Sequence, residues 1–217
     1  MDRLTYTLIT DGSSDTTLIH VINWCLRDLY PELPIESQYA DFSLLSKKPA
    51  NGDVRRRIEL ASKLYPCDLL IYHRDAEKSS RQILDERKSE ILDPLDDDTI
   101  AKVVCVIPIR MMESWLLTSE SAIKIAANNP NGNIQLNLPS IRSIESLSEP
   151  KDMLHGLLVR ATENNRRRLR NFNVDRAVHL VAEYTESFEK LRQLSAFNKF
   201  EQDLKKHVDI MIGNRND

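Results

Sequence analysis

Apolar and β-branched runs alternate along the chain with stretches of helical spacing. Residues 4–10, Leu-Thr-Tyr-Thr-Leu-Ile-Thr, predict a strand. Asp11-Gly12-Ser13-Ser14-Asp15 predicts a turn, with Ser13 or Ser14 as a helix cap. Leu18, Ile19, Ile22, Cys25, Leu26 and Leu29 then recur at helical spacing until Pro31 stops the run. Residues 35–42 are a weaker strand candidate. Val54, Ile58, Ala61 and Leu64 mark a second helix that starts at Asn51-Gly52-Asp53. Residues 68–73, Asp-Leu-Leu-Ile-Tyr-His, have the continuous apolar character of a buried parallel strand. A charged helix carries Ile83, Ile91 and Leu92, and residues 102–107, Lys-Val-Val-Cys-Val-Ile, form the clearest strand. Residues 111–117 and 122–127 read as helical, residues 128–148 as a polar loop rich in Asn, Pro and Ser, and the rest as helices over about 150–163, 174–193 and 196–208.

Strands alternating with helices imply an α/β fold, a mostly parallel sheet with right-handed crossovers, and a helical C-terminal extension. The organisation expected is an α/β core over residues 1–127, with loop and helices over 128–217 packed on it as a single structural unit. At 217 residues, 41% hydrophobic and 29% charged, the chain has the balance of a soluble globular protein. No apolar stretch is long enough for a membrane span, and the first residues do not read as a signal peptide. Cys25, Cys67 and Cys105 are odd in number and lie in apolar surroundings, as expected of reduced core cysteines in a cytoplasmic protein. No Gly-rich phosphate loop is present.

In a parallel sheet, ligands bind beyond the carboxyl ends of the strands. Acidic residues fall at three such places: Asp11 and Asp15 after the first strand, Asp75 and Glu77 after the third, and Glu113 after the fourth, beyond Arg110. Convergent carboxylates raise one another's pKa and call for a cation. Oxygen ligands of this kind suit Mg²⁺ or Mn²⁺, and phosphoryl or phosphodiester chemistry is the usual work of such a site. The same residues have plainer readings. Asp11 and Asp15 serve equally as turn and cap residues. Asp75 and Glu77 fit a solvent-facing loop, and Glu113 fits an ion pair with Arg110. In the empty site the charges would repel, so removal of Asp75 is expected to cost little stability.

Together, the Asp11–Asp15 turn, the Asp75-Ala76-Glu77 pair and the Met111-Met112-Glu113-Ser114-Trp115-Leu116-Leu117 segment resemble the TOPRIM-related proteins. The nearest likeness is to small bacterial TOPRIM-like proteins often encoded beside ATPases in defence loci. Residues 149–154, Glu-Pro-Lys-Asp-Met-Leu, and residues 191–200 are similar to later blocks of that family. The resemblance implies a Mg²⁺- or Mn²⁺-dependent nuclease acting on DNA or RNA, as the effector of an antiviral defence system. Asp75 and Glu77 would be metal ligands, joined by Asp15 and Glu113. Asp11 would be acid/base or a further ligand, standing where the family has a glutamate and one methylene shorter. Lys151 or Arg110 would hold the phosphate. The alternative it leaves open is a degenerate module that binds a partner ATPase or nucleic acid. A homo-oligomer is compatible with either.

Charge adds one further candidate. Residues 1–150 hold 17 Lys+Arg against 23 Asp+Glu, a balance of −6, and residues 151–217 hold 13 against 10, a balance of +3. Arg166, Arg167, Arg168 and Arg170 lie in the basic part and are candidate nucleic-acid contacts or a solvated face. The same two readings apply to Arg55-Arg56-Arg57. His73 reads as a packed or capping residue, with phosphate or metal contact as its functional alternative. Trp24 and Trp115 read as core.

Overall fold

A computed structural model describes residues 2–78 and 82–213. Four strands, β1 (Leu4–Ile9), β2 (Ile35–Tyr39), β3 (Leu69–His73) and β4 (Val103–Val106), form one sheet in the order β2-β1-β3-β4, and every pairing is parallel. The two central strands are buried along their whole length, which is why their sequences are continuously apolar or β-branched. β2 lies at the sheet's edge and reads Ile-Glu-Ser-Gln-Tyr, half-buried, so its signal in the sequence is weak. Helix α1 (Leu18–Leu29) connects β1 to β2, and α2 (Val54–Leu64) carries the chain from β2 across β1 to β3. α3 (Gln82–Leu92) and the short α4 (Asp97–Ile100) connect β3 to β4. The winding direction reverses between β1 and β3, so right-handed crossovers put α1 on one face and α2 and α3 on the other.

After β4 the chain is helical. A 3-10 turn (Met112–Leu116) leads to α5 (Glu120–Ala126), then, beyond a long loop, come α6 (Pro150–Ala161), α7 (Arg166–Leu169), α8 (Val174–Tyr184) and α9 (Ser195–Gly213). The expected helix over 174–193 is two pieces. α8 ends at Tyr184, where Thr185 Oγ1 turns back to the Val181 carbonyl at 2.7 Å, and a separate 3-10 turn follows at Glu189–Gln193. A threonine hydroxyl that takes a carbonyl of the preceding turn competes with helix propagation. Residues 111–117 likewise form a 3-10 turn, not an α-helix.

α8 meets α1, α5 and α6, while α9 runs along β4. An aromatic cluster joins these layers. Phe197 lies 5.3 Å from Trp115, 6.0 Å from Phe200 and 6.4 Å from Trp24, centroid to centroid. Outside it, the Arg192 guanidinium sits 5.0 Å from the Trp24 ring and pairs with Asp28 at 2.6 Å and Glu201 at 2.7 Å. α9 is capped from a distance: both oxygens of Glu145 accept, one from Ser195 Oγ at 2.8 Å and one from the Ala196 amide at 2.9 Å. The three cysteines are free; Cys25 and Cys105 are buried and Cys67 is half-buried. Leu64, expected on the apolar face of α2, is exposed.

Phe197 is fully buried, so Phe197→Ala opens a cavity shared by α1, α9 and the Met112–Leu116 turn. Urea unfolding of this variant is expected to show a loss of about 3–5 kcal/mol.

Candidate active site

Because β1, β3 and β4 are parallel neighbours, the segments that leave their carboxyl ends share one edge of the sheet. Asp11 and Asp15, Asp75 and Glu77, and Glu113 all lie on those segments. The edge includes the point between β1 and β3 where the winding reverses, the usual ligand crevice of doubly wound sheets. The first turn is held by its own polar groups. Thr10 Oγ1 donates to the Gly12 carbonyl at 2.5 Å, and the Gly12 amide donates to Asp15 Oδ2 at 3.3 Å. The expected serine cap is not formed. Residues Ser13–Thr17 are a 3-10 turn with Gly12 at its start, and Ser14 Oγ donates to Asp15 Oδ1 at 3.1 Å.

His73, the last residue of β3, is buried between two of these acids. Its Nε2 is 3.2 Å from Asp75 Oδ1, and its Nδ1 is 3.5 Å from Asp15 Oδ2. The first contact is a hydrogen bond. The second is close enough for charge attraction but fails as a hydrogen bond, and Nδ1 has no other partner. Burial by itself would drive the proton off the imidazole. The two carboxylates outweigh it and push the pKa up to about 9, so the ring is an imidazolium at neutral pH. Burial also raises Asp15, but the nearby His73 charge and the hydrogen bonds from Ser14 and the Gly12 amide prevail and hold its carboxyl below the usual range. Asp75 Oδ1 additionally accepts from the Met112 amide at 2.9 Å, which ties the end of β3 to the segment after β4. Asp75, half-buried, thus bonds both His73 and the Met112 amide, so its removal would strand a buried imidazolium, and against the repulsion argument it is expected to cost stability.

Asp11 is flanked from the other face. Arg57 of α2 is 2% exposed, although the sequence offers it as one of three surface arginines. Its guanidinium donates to the Thr10 carbonyl and, at 2.8 Å, to Asn51 Oδ1, and stands 5.3 Å from the Phe42 ring centroid. Asn51 in turn donates to the Asp11 carbonyl at 3.2 Å. Val54, Arg57, Ile58 and Ala61 lie on one helical stripe, and that spacing was the available sign that Arg57 points inward. Asp11 Oδ1 is buried and has no hydrogen-bond partner. Burial raises the Asp11 pKa, opposed in part by Arg57, Arg74 and His73. Tyr72 Oη, beside them, is also buried and unpartnered, and burial pushes its pKa up to about 12.

Glu77 does not join Asp75. Its φ of 61° is left-handed, and its carboxylate pairs with Arg87 of α3 at 2.9 Å. The cause lies in the backbone. The β3–β4 ladder continues past both strands, with Arg74 N to Val106 O at 3.2 Å, Ala76 N to Pro108 O at 3.0 Å and Glu77 N to Arg110 O at 2.9 Å. Arg110 is also left-handed, with φ 65°, so the two connections turn together. Arg110 does not pair with Glu113, and its Nε is buried without a partner. Glu113, 7% exposed, has Lys151 Nζ of α6 at 3.8 Å. Burial raises its pKa; its own backbone amide and Lys151 oppose, and Asp75 adds to the rise.

Lys151 begins α6, and the Arg166–Arg170 segment follows that helix's far end. α6, 12 residues and about 18 Å long, stands between them. Arg166, Arg167 and Arg170 are exposed, whereas Arg168 donates to the Thr162 carbonyl at 3.2 Å. Clefts of about 410 Å³, lined by His20, Trp24, Glu183 and Phe188, and about 400 Å³, between β4 and α9, contain none of the edge's acids. Among the described residues, no three His, Cys, Asp or Glu side chains are grouped to hold a metal ion, and no helix is long and apolar enough to cross a membrane. The chain matches no family model, no curated protein and no solved structure.

The His73 pair gives stability a pH dependence with a definite sign. A folded-state pKa raised from 6.5 to about 9 means that the ion group's contribution is full below about 6.5 and lost as pH rises through about 9. Urea unfolding at pH 6 and pH 9.5 is expected to differ by up to about 3 kcal/mol in the wild type. In His73→Gln this component should be absent.

Proposed function

We propose that the carboxyl edge of the sheet hydrolyses phosphodiester bonds of nucleic acid with a bound Mg²⁺ or Mn²⁺. The observation that carries this reading is Asp11 Oδ1, a buried carboxylate oxygen that no donor in the protein satisfies. Such an atom is costly unless a cation or donor arrives from outside. Glu113 is also buried, and its nearest cation, Lys151, stands 3.8 Å away. Asp11, Glu113 and the oxygen of Asp75 that His73 does not take are hard oxygen donors of the kind these ions prefer, and they would have to draw together around one, since no three acids among the described residues are grouped as they stand. Glu77 does not fit, since Arg87 already holds its carboxylate.

The ion would supply Lewis-acid polarisation of the phosphate and an activated water. The protein's own side chains would do the rest. Lys151 and Arg110 would take the phosphate oxygens, Lys151 as a mobile point charge and Arg110 as a planar fork. His73 would keep Asp75 aimed by holding a proton on Nε2 against Oδ1. The resemblance to TOPRIM-like defence proteins extends the proposal to a partner ATPase, and the exposed Arg166, Arg167 and Arg170 to a secondary contact with nucleic acid.

A second reading, a non-catalytic binding module, is favoured by one arrangement. The His73 imidazolium lies between Asp15 and Asp75, and Glu77 is turned away, so part of the acidic edge is neutralised from within.

Thermal melts of Asp11→Asn separate the two. Burial disfavours the Asp11 charge, so the neutral variant should match or exceed the wild type without metal. With Mn²⁺ at about 100 times its dissociation constant, the wild type should gain about 2.7 kcal/mol and the variant much less. A wild type that gains nothing from Mn²⁺ leaves the binding module standing.

A further inference from the structure

The connection between β2 and α2 runs over residues 40–53 without secondary structure of its own. Connections of this length in compact domains are uncommon and usually functional. It leaves the carboxyl end of β2, so it starts at the same edge as the acids. Both of its ends are fastened. Ala40 donates its amide to the Leu8 carbonyl at 2.9 Å, and Phe42 is buried under the Arg57 guanidinium. The Asp41 carbonyl accepts from Tyr65 Oη at 2.9 Å. At the return, Pro49 is buried and Asn51 donates to the carbonyl of Asp11 itself at 3.2 Å.

Between these anchors the tip stands in solvent. Leu44 is 92% exposed, against 51% for Ile210, the next most exposed large apolar residue described. Lys47 and Lys48 are exposed, and neither is in an ion pair within 4 Å among the described residues. Ser43 and Ser46 fill the spaces between. The tip therefore offers one apolar wedge and two exposed lysines that are in no ion pair among the described residues, on a loop bonded to the turn that carries Asp11. Apolar side chains presented in this way enter base steps and unstack them, while flanking lysines hold the phosphates.

We propose that this loop is a duplex-distorting wedge: Leu44 enters a yielding base step, such as a mismatch or bulge, and Lys47 and Lys48 hold the adjoining phosphates. The substrate class is then double-stranded nucleic acid with a weakened step, presented to the acidic edge. This rests on the reading that the edge acts on nucleic acid.

The test uses the full chain and two short fluorescent duplexes, one fully paired and one with a central mismatch beside 2-aminopurine. The wild type is expected to prefer the mismatched duplex by about tenfold and to raise the 2-aminopurine emission, because that step unstacks at lower cost. Leu44→Ser should lose both the preference and the emission change while melting like the wild type. Lys47→Ala/Lys48→Ala should flatten the log–log salt dependence of binding by about 1.8, at roughly 0.9 per phosphate contact. Equal binding of the two duplexes by the wild type, or an unchanged preference and slope in the variants, overturns the wedge. So does Leu44-dependent binding to anionic phospholipid vesicles without duplex binding. The outcomes are separable from those of the catalytic reading. A wedge that works in a protein that Mn²⁺ does not stabilise removes only the catalysis. A Mn²⁺-stabilised protein whose loop variants bind like the wild type removes only the wedge.

Discussion

A buried imidazolium between two carboxylates organises the edge of this sheet. His73 ends a central strand, Asp15 belongs to the turn after the neighbouring strand, and Asp75 begins the next connection. A histidine this deeply buried would be neutral without them, and two carboxylates this close would repel without it. Asp75 passes the constraint on, because the oxygen that meets His73 also takes the Met112 amide from beyond β4. One ring thus fixes the relative placement of three strand ends. Buried charges are held where their partners are, so this group contributes to register as well as to stability.

The central sheet was legible because its strands are buried on both faces. β1, β3 and β4 need apolar or β-branched residues at nearly every position, and that continuous character is what marks them in the sequence. β2 meets solvent at the edge and loses that signature. The break after Tyr184 was hidden for a different reason. Phe188, Leu191 and Leu194 are all buried, so the apolar spacing persists through a change of backbone that only the local hydroxyl chemistry of Thr185 marks.

The location of the acids followed from topology, since any residue just past a strand in an all-parallel sheet reaches the same edge. Their pairing did not follow. An Asp-x-Glu pair puts both carboxylates on one side only where the backbone stays extended. The left-handed residue at Glu77 breaks that condition, and its facing partner, Arg110, lies 33 residues further along the chain, so no local pattern shows it. Arg57 was concealed by its neighbours: in an Arg-Arg-Arg run, charge suggests a surface while helical phase places one of the three inside. His73 lies two positions from Asp75 in sequence, but its second partner, Asp15, is on another strand's connection.

The two faces of the sheet deliver positive charge to this edge in different ways, and the difference sorts the acids. On the α1 face, the His73 imidazolium stands 3.5 Å from Asp15 and its charge lowers the proton affinity of that carboxylate, so Asp15 stays ionised and committed. On the α2 face, the guanidinium of Arg57 bonds the Thr10 carbonyl and Asn51, not the Asp11 carboxylate. Its charge reaches Asp11 only through space, and burial still wins, so the Asp11 carboxyl is raised and one of its oxygens is left unpaired. The Glu113 carboxyl is raised by burial as well, with Lys151 3.8 Å away. Acids pushed in opposite directions by their surroundings are a recurrent mark of sites that divide charge-holding from chemistry. By that criterion, the proposed site would keep Asp15 as scaffold and use Asp11 and Glu113 as its ligand-facing groups.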